Sequence, residues 1–276
     1  MVKFVADSSC DLLTMPNAHF VSAPLTIHTD TEQWTDNESI DIRHMLDTLA
    51  SHKGRSYTSC PGIDAWMKAY EGGDVIYVAT LTSTLSGTYN AAMAAAKQYQ
   101  AAHPEVKIHV FDTLSTGPEL RLLMEKLMEL DRQGLDFEEV CIQAEKYLKQ
   151  TRLFFSLQSM HNLAQNGRIS KTIAAAIGLL GIRIVGTASE KGELAPLAKC
   201  RGDKKAVNEL MSQVQKLGFT RGKLRISHIE NPGLAETLVQ LLKKAYPQAD
   251  VLMYPARGLC SYYAEKGGIL LGVAPD

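Results

Sequence analysis

A change of hydrophobic period that repeats along the first half of the chain constrains the fold most. Val2 to Val5, Val75 to Ala79 and Ile108 to Phe111 are short runs of β-branched and aromatic residues, the composition of buried strands. Apolar residues elsewhere recur at helical spacing: Ile42, Met45, Leu46 and Leu49, then Tyr89, Ala92, Met93 and Ala96. Strands alternating with amphipathic helices predict a parallel sheet flanked by helices, because parallel neighbours need a crossover long enough to hold a helix. Helices at Pro118 to Leu130 and about Glu138 to Lys149 complete this half.

The chain turns extended at Leu153 to Leu157, which marks the expected division into an N-terminal α/β domain, 1–151, and a C-terminal α/β domain, 152–276. The second half reads as a helix through Ser159 to Leu163, a break at Gly167, a very apolar helix over about Lys171 to Leu180, and a hairpin of Ile182 to Thr187 with Leu194 to Cys200. A charged helix over Lys204 to Lys216, a strand at Leu224 to Ile229, a helix through Leu234 to Tyr246, and strands at Val251 to Tyr254 and Gly268 to Val273 follow.

Composition narrows the function. The chain has 276 residues, 45% of them apolar, enough to bury a sizeable core in one large or two smaller domains. Its 29 Lys and Arg against 30 Asp and Glu leave no net field to hold nucleic acid or an anionic membrane. Apolar runs such as Ile173 to Leu180, with Gly178 inside, fall well short of the roughly 20 residues a membrane span needs. The opening Met-Val-Lys-Phe-Val-Ala-Asp reaches an acid before a signal-type core develops, so the cytoplasm is the expected location. Five widely spaced cysteines, Cys10, Cys60, Cys141, Cys200 and Cys260, contain no Cys-x-x-Cys pair and are expected as reduced thiols. The eight histidines form no zinc motif, so no metal is expected.

Chemistry concentrates in loops. Asp7-Ser8-Ser9, Tyr57-Thr58-Ser59-Cys60-Pro61, Leu85-Ser86-Gly87-Thr88 and Asp112 to Gly117 are expected to share one edge of the sheet, where open α/β sheets place their ligands. Ser86 and Gly87 stand before the helix Tyr89 to Tyr99, whose free N–H groups and dipole suit an anion. Ser86 could equally be a helix N-cap, and Thr58-Ser59 could cap the helix that starts near Gly62. Arg168, in Asn166-Gly167-Arg168-Ile169-Ser170, could fork onto a carboxylate or sit at the surface of a linker. Arg201 to Lys205 reads as an exposed face, and His228 as a core or rim residue. The apolar helix Ile173 to Leu180 could line a lipid tunnel or be ordinary core. P-loop, Rossmann and nucleophile-elbow patterns are absent, which disfavours nucleotide binding and serine hydrolysis.

Taken together, these segments resemble the DegV family of bacterial fatty-acid-binding proteins nearly end to end. Asp7-Ser8-Ser9-Cys10-Asp11-Leu12 is similar to the family's Asp-Ser-Ser-x-Asp-Leu, and Thr58-Ser59-Cys60-Pro61 to its Thr-Ser-Gln-Pro. Leu85 to Asn90 resembles Leu-Ser-Gly-Thr-Tyr-Gln, and Asn166 to Ser170 resembles Gly-Gly-Arg-Ile-Ser. Lys199 to Gly202, Ile226-Ser227-His228 and Asn231-Pro232 also fit.

The resemblance implies a fatty acid in a tunnel between two domains, presented to a separate ATP-dependent fatty acid kinase, with no cofactor and no catalysis by this chain. It implies carboxylate ligands at Thr58, Ser59, Ser86 and the Gly87 backbone, with Arg168 serving the head group and phosphoryl transfer. The C-terminal pattern departs from the family's: Cys260 falls where many members place a histidine, so either Ser261 supplies that hydrogen bond or head-group chemistry differs. The alternative is an enzyme or phosphoryl carrier acting on a small carboxylate. The strand-end loops hold no histidine for such a carrier.

Overall fold

A computed structural model of the protein describes residues 1–169 and 181–276. Ser170 and the apolar helix expected over Lys171 to Leu180 lie outside the described residues.

The first half contains strands β1 (Val2–Asp7), β2 (His19–Ala23), β3 (Thr26–His28), β4 (Gln33–Thr35), β5 (Tyr57–Ser59), β6 (Val75–Thr80) and β7 (Lys107–Asp112). Its helices are α1 (Ile42–Ser51), α2 (Ile63–Tyr70), α3 (Thr88–Ala102), α4 (Pro118–Arg132) and α5 (Phe137–Gln150). The second half holds strands β8 (Arg152–Leu157), β9 (Ile182–Ala188), β10 (Leu194–Arg201), β11 (Gly222–His228), β12 (Asp250–Pro255) and β13 (Ile269–Pro275). Its helices among the described residues are α6 (His161–Gln165), α7 (Asp203–Lys216), α8 (Pro232–Ala245) and α9 (Gly258–Ala264).

The protein has two α/β domains, one built on each of two large sheets. In the first, β2-β1-β6-β7 are all parallel. Residue alternation sets its two faces. Phe4 and Ala6 of β1, with Tyr77 and Ala79 of β6, pack with Leu120, Leu123 and Leu127 of α4. Val5, Ile76 and Val78 point the other way, onto Trp66 and Tyr70 of α2 and Ala92 and Ala96 of α3. Pro118 opens α4, where a missing N–H costs nothing.

The second sheet, β10-β9-β8-β13-β11-β12, is antiparallel except for its β11–β12 edge. The expected β9–β10 hairpin is present. Helices α7 and α8 cover one face through Val207, Leu210, Leu238 and Leu242. Helix α4 also packs on this sheet: a Cβ on Gly272 of β13 would lie 2.9 Å from atoms of Leu122 and Pro118, so glycine permits the approach. Along β8, Phe154 faces the α7–α8 core, while Leu153, Phe155 and Leu157 face the other way.

A third, antiparallel sheet, β4-β3-β5, was not expected. Its strands have three residues each, too few to display a period. It alters one expectation. Thr58 and Ser59 do not follow a strand of the parallel sheet; they belong to β5, which pairs with β3 through Ile27–Thr58 and Thr26–Ser59.

Candidate functional site

The loops after β1, β6 and β7 meet at the C-terminal edge of the parallel sheet, and two acids at the strand ends, Asp7 buried and Asp112 half-buried, knit them together. Asp7 accepts Ser9 N–H at 3.0 Å and Leu81 N–H at 2.6 Å. Asp112 accepts Ser83 N–H and Leu114 N–H, both at 3.1 Å. These carboxylates hold the loops in place and do not themselves line the cavity beside them.

That cavity, about 330 Å³, lies between the two domains and is large enough for a small organic ligand. Leu153, Phe155 and Leu157 of β8, Leu270 of β13, Leu194 and Leu25 give it apolar walls. Phe155 pairs with Gly186 of β9, where any side chain would collide with the phenyl ring, so the ring keeps its place in the wall. Thr58, Ser59, Cys60, Thr82, Ser86, Gly87, Ser115, Thr116, Arg168 and the acidic Glu193 contribute the polar lining.

Most of the residues singled out from the sequence are gathered there. Thr58 Oγ1 lies 2.8 Å from the Tyr263 hydroxyl, and Ser59 Oγ lies 2.9 Å from His28 Nε2. Neither caps a helix, because Gly62 is the N-cap of α2. Ser86, one residue before the N-cap of α3, is not itself that cap, although its Oγ accepts Thr88 N–H at 3.3 Å, and the residue lines the cavity. Gly87 is the N-cap of α3, and a Cβ there would stand 3.6 Å from Cys60 Sγ, so the β5 and β6–α3 segments face one another.

Arg168 is no loose surface residue. Its Nε donates to the Leu85 carbonyl at 3.2 Å and its Nη1 donates to the Asn166 carbonyl, which ties it to the segment carrying Ser86. Cys260 lines the cavity, but its thiol donates to the Ser9 carbonyl at 3.3 Å, and burial pushes its pKa well up, against the thiolate. Ser261 is not brought to the cavity: it is buried, and its hydroxyl donates to Ala256 O at 3.2 Å. His228 is buried on β11. Among the described residues no group of three or more His, Cys, Asp or Glu could hold a metal, and no helix is long and apolar enough to cross a membrane.

Three features escaped the sequence reading. His28, which does not itself line the cavity, stands beside the lining residue Ser59 on a strand too short to be recognised. Helix α9 brings Tyr263 to Thr58 and Tyr262 to Ser56, whose Oγ lies 2.8 Å from the Tyr262 hydroxyl; Asn166 Nδ2 donates to that hydroxyl at 2.9 Å. Two buried acids of the first domain seat the start of α9. Asp36 accepts the N–H groups of Gly258 and Leu259, both at 2.9 Å, and Asp11 accepts that of Arg257 at 2.7 Å. Burial raises both acids, Asp11 to about 7. The signal for them was Asp11 inside a recognised motif; nothing marked Asp36.

Fold and site define a class: two-domain α/β proteins with an apolar cavity between the domains and hydroxyl groups at part of its wall. The DegV family model matches residues 1–275, and the chain belongs to that family. A DegV domain-containing protein of Streptococcus pneumoniae is 42% identical over 99% of both chains. Two solved structures are similar over essentially their whole length. One is a DegV family protein from Eubacterium eligens loaded with heptadecanoic acid, 48% identical, with a TM-score of 0.98 and 100% of each chain covered. The other is the Streptococcus pneumoniae Fatty Acid Kinase B3 protein loaded with linoleic acid, 42% identical, with a TM-score of 0.97 and 100% of this chain and 99% of that one covered.

Proposed function

We propose that this protein holds one long-chain fatty acid in the cavity between its domains, divided at residue 151, and presents the carboxylate to a separate ATP-dependent fatty acid kinase in the cytoplasm. The carboxylate would rest on Thr58, Ser59, Ser86 and the Gly87 backbone, with Arg168 beside them, Cys260 in the adjoining wall and the acyl chain along Leu153, Phe155, Leu157 and Leu270. The observation that carries this reading is the division of one cavity between hydroxyl and arginine donors and a wall of leucine and phenylalanine. A carboxylate needs donors, and each buried methylene contributes about 0.8 kcal/mol, so an amphiphile with one anionic end matches both parts. The heptadecanoic and linoleic acids of the two similar structures support it. Arg168 would act on the charge that develops during phosphoryl transfer, while the kinase supplies ATP chemistry. Ser261, turned to a backbone carbonyl, is left out of the head-group set. Five free cysteines fit a reducing compartment.

Native mass spectrometry of the protein purified from bacteria tests the proposal. One bound acyl chain, recovered as free fatty acid after denaturation, is expected. Protein that arrives empty and binds no sixteen- or eighteen-carbon acid by calorimetry would overturn it.

A further inference from the structure

Tyr263 makes a contact that the carboxylate reading alone does not use. Its hydroxyl and Thr58 Oγ1 are 2.8 Å apart, and both residues line the cavity. A phenol is far more acidic than an aliphatic alcohol, so the better donor in this pair is the tyrosine and the threonine oxygen accepts. Thr58 is then left with its own proton to give. Burial raises the Tyr263 pKa above its ordinary value, which keeps the phenol protonated and therefore a donor.

The ring is held where this requires. Tyr262 meets it edge-on, with centroids 4.8 Å apart at 79°, and is itself fixed by Ser56 and Asn166. Helix α9, which carries both tyrosines, is seated on Asp36 and Asp11 of the other domain.

The direction of one hydrogen bond decides what the seat can hold. A carboxylate only accepts, and it is satisfied by a Thr58 proton turned into the cavity. An alcohol or a protonated acid must also donate, and Thr58 Oγ1, already accepting from Tyr263, has one lone pair left to offer where a free hydroxyl has two. We propose that Tyr263 is a specificity-determining residue that commits the Thr58 hydroxyl to donate into the cavity and so makes the site select the ionised carboxylate over neutral head groups of the same chain length. This rests on the fatty-acid reading above and names the chemistry that reading leaves open.

The test compares hexadecanoic acid with hexadecanol, by displacement of a fluorescent acyl probe, in the unaltered protein, Tyr263→Phe and Thr58→Val. Phenylalanine keeps the ring and removes the donor. Acid affinity should fall roughly tenfold, the scale of one hydrogen bond to a charged group. Alcohol affinity should stay level or tighten, which also reports that the variant is folded. An equal loss for both ligands would make Tyr263 a packing residue only, and an unchanged acid preference would also overturn the proposal. The two readings fail differently. If the unaltered protein prefers the acid and Thr58→Val abolishes that preference while Tyr263→Phe keeps it, the Tyr263 assignment alone falls. If the unaltered protein does not distinguish the ligands, the carboxylate seat itself falls.

Discussion

Replacing Asp11 with asparagine should remove about 2 kcal/mol of pH dependence from the protein's stability between pH 5 and pH 8. Asp11 is buried in the left-handed backbone region at φ 56°, which asparagine tolerates, so the exchange adds little backbone strain. Its Oδ1 accepts Arg257 N–H, which an amide oxygen can also do, while Oδ2 is buried without a partner. Burial is the main cause that lifts its pKa from 3.8 to about 7, helped by the neighbouring Asp36 and opposed by the Arg257 N–H. Above pH 4 the unfolded chain has lost this proton and the folded one keeps it. The associated stability is therefore complete below pH 4 and is lost as pH rises through 7. Across the two units from pH 5 to pH 7 a proton held throughout would amount to nearly 3 kcal/mol, and its partial release as pH approaches 7 lowers this to about 2. His109 and His228, whose pKa values burial depresses, act with the opposite sign as pH falls below 6.5, but they are the same in both proteins. Urea unfolding of both at pH 5, 6, 7 and 8 gives the difference directly. The unaltered protein should lose stability relative to Asp11→Asn as pH rises. A flat difference, or one of opposite slope, would refute the assignment of a neutral Asp11 beneath α9.

Ser86→Ala should weaken fatty-acid binding by roughly 1 to 3 kcal/mol, measured by calorimetry, because a hydroxyl facing a carboxylate is lost and the Thr88 N–H loses its local acceptor. Affinity for saturated acids should climb by about 0.8 kcal/mol per added methylene and stop once the cavity is filled; short acids binding as well as a sixteen-carbon acid would favour a small-carboxylate enzyme. Arg168→Lys should lower acyl-phosphate formation with a cognate kinase more than it lowers lipid affinity, since an ammonium cannot span the Leu85 and Asn166 carbonyls and face the head group in one planar fork.

The hydroxyl segments were legible because serine, threonine and glycine ahead of a helix are a local signal. Ser86 and Gly87 announce a helix start, whose free N–H groups suit an anion. Tyr263 and His28 were not legible. A tyrosine on a short helix and a histidine on a three-residue strand have no period and no spacing to a partner, and their roles exist only because Thr58 and Ser59 are adjacent in space across 205 and 31 residues of chain.

The sequence by itself determined the parallel sheet of β1, β6 and β7 with its flanking helices, the β9–β10 hairpin and the ordering of the mixed half. Alternation along a strand and a 3.6-residue stripe along a helix are written in neighbouring positions, and burying them leaves few arrangements. Tertiary structure alone decided the third sheet, the seating of α9 on Asp36 and Asp11, and the meeting of Thr58 with Tyr263. Each depends on groups far apart in the chain whose polar atoms must be satisfied once water is excluded, and that condition has no trace in local sequence.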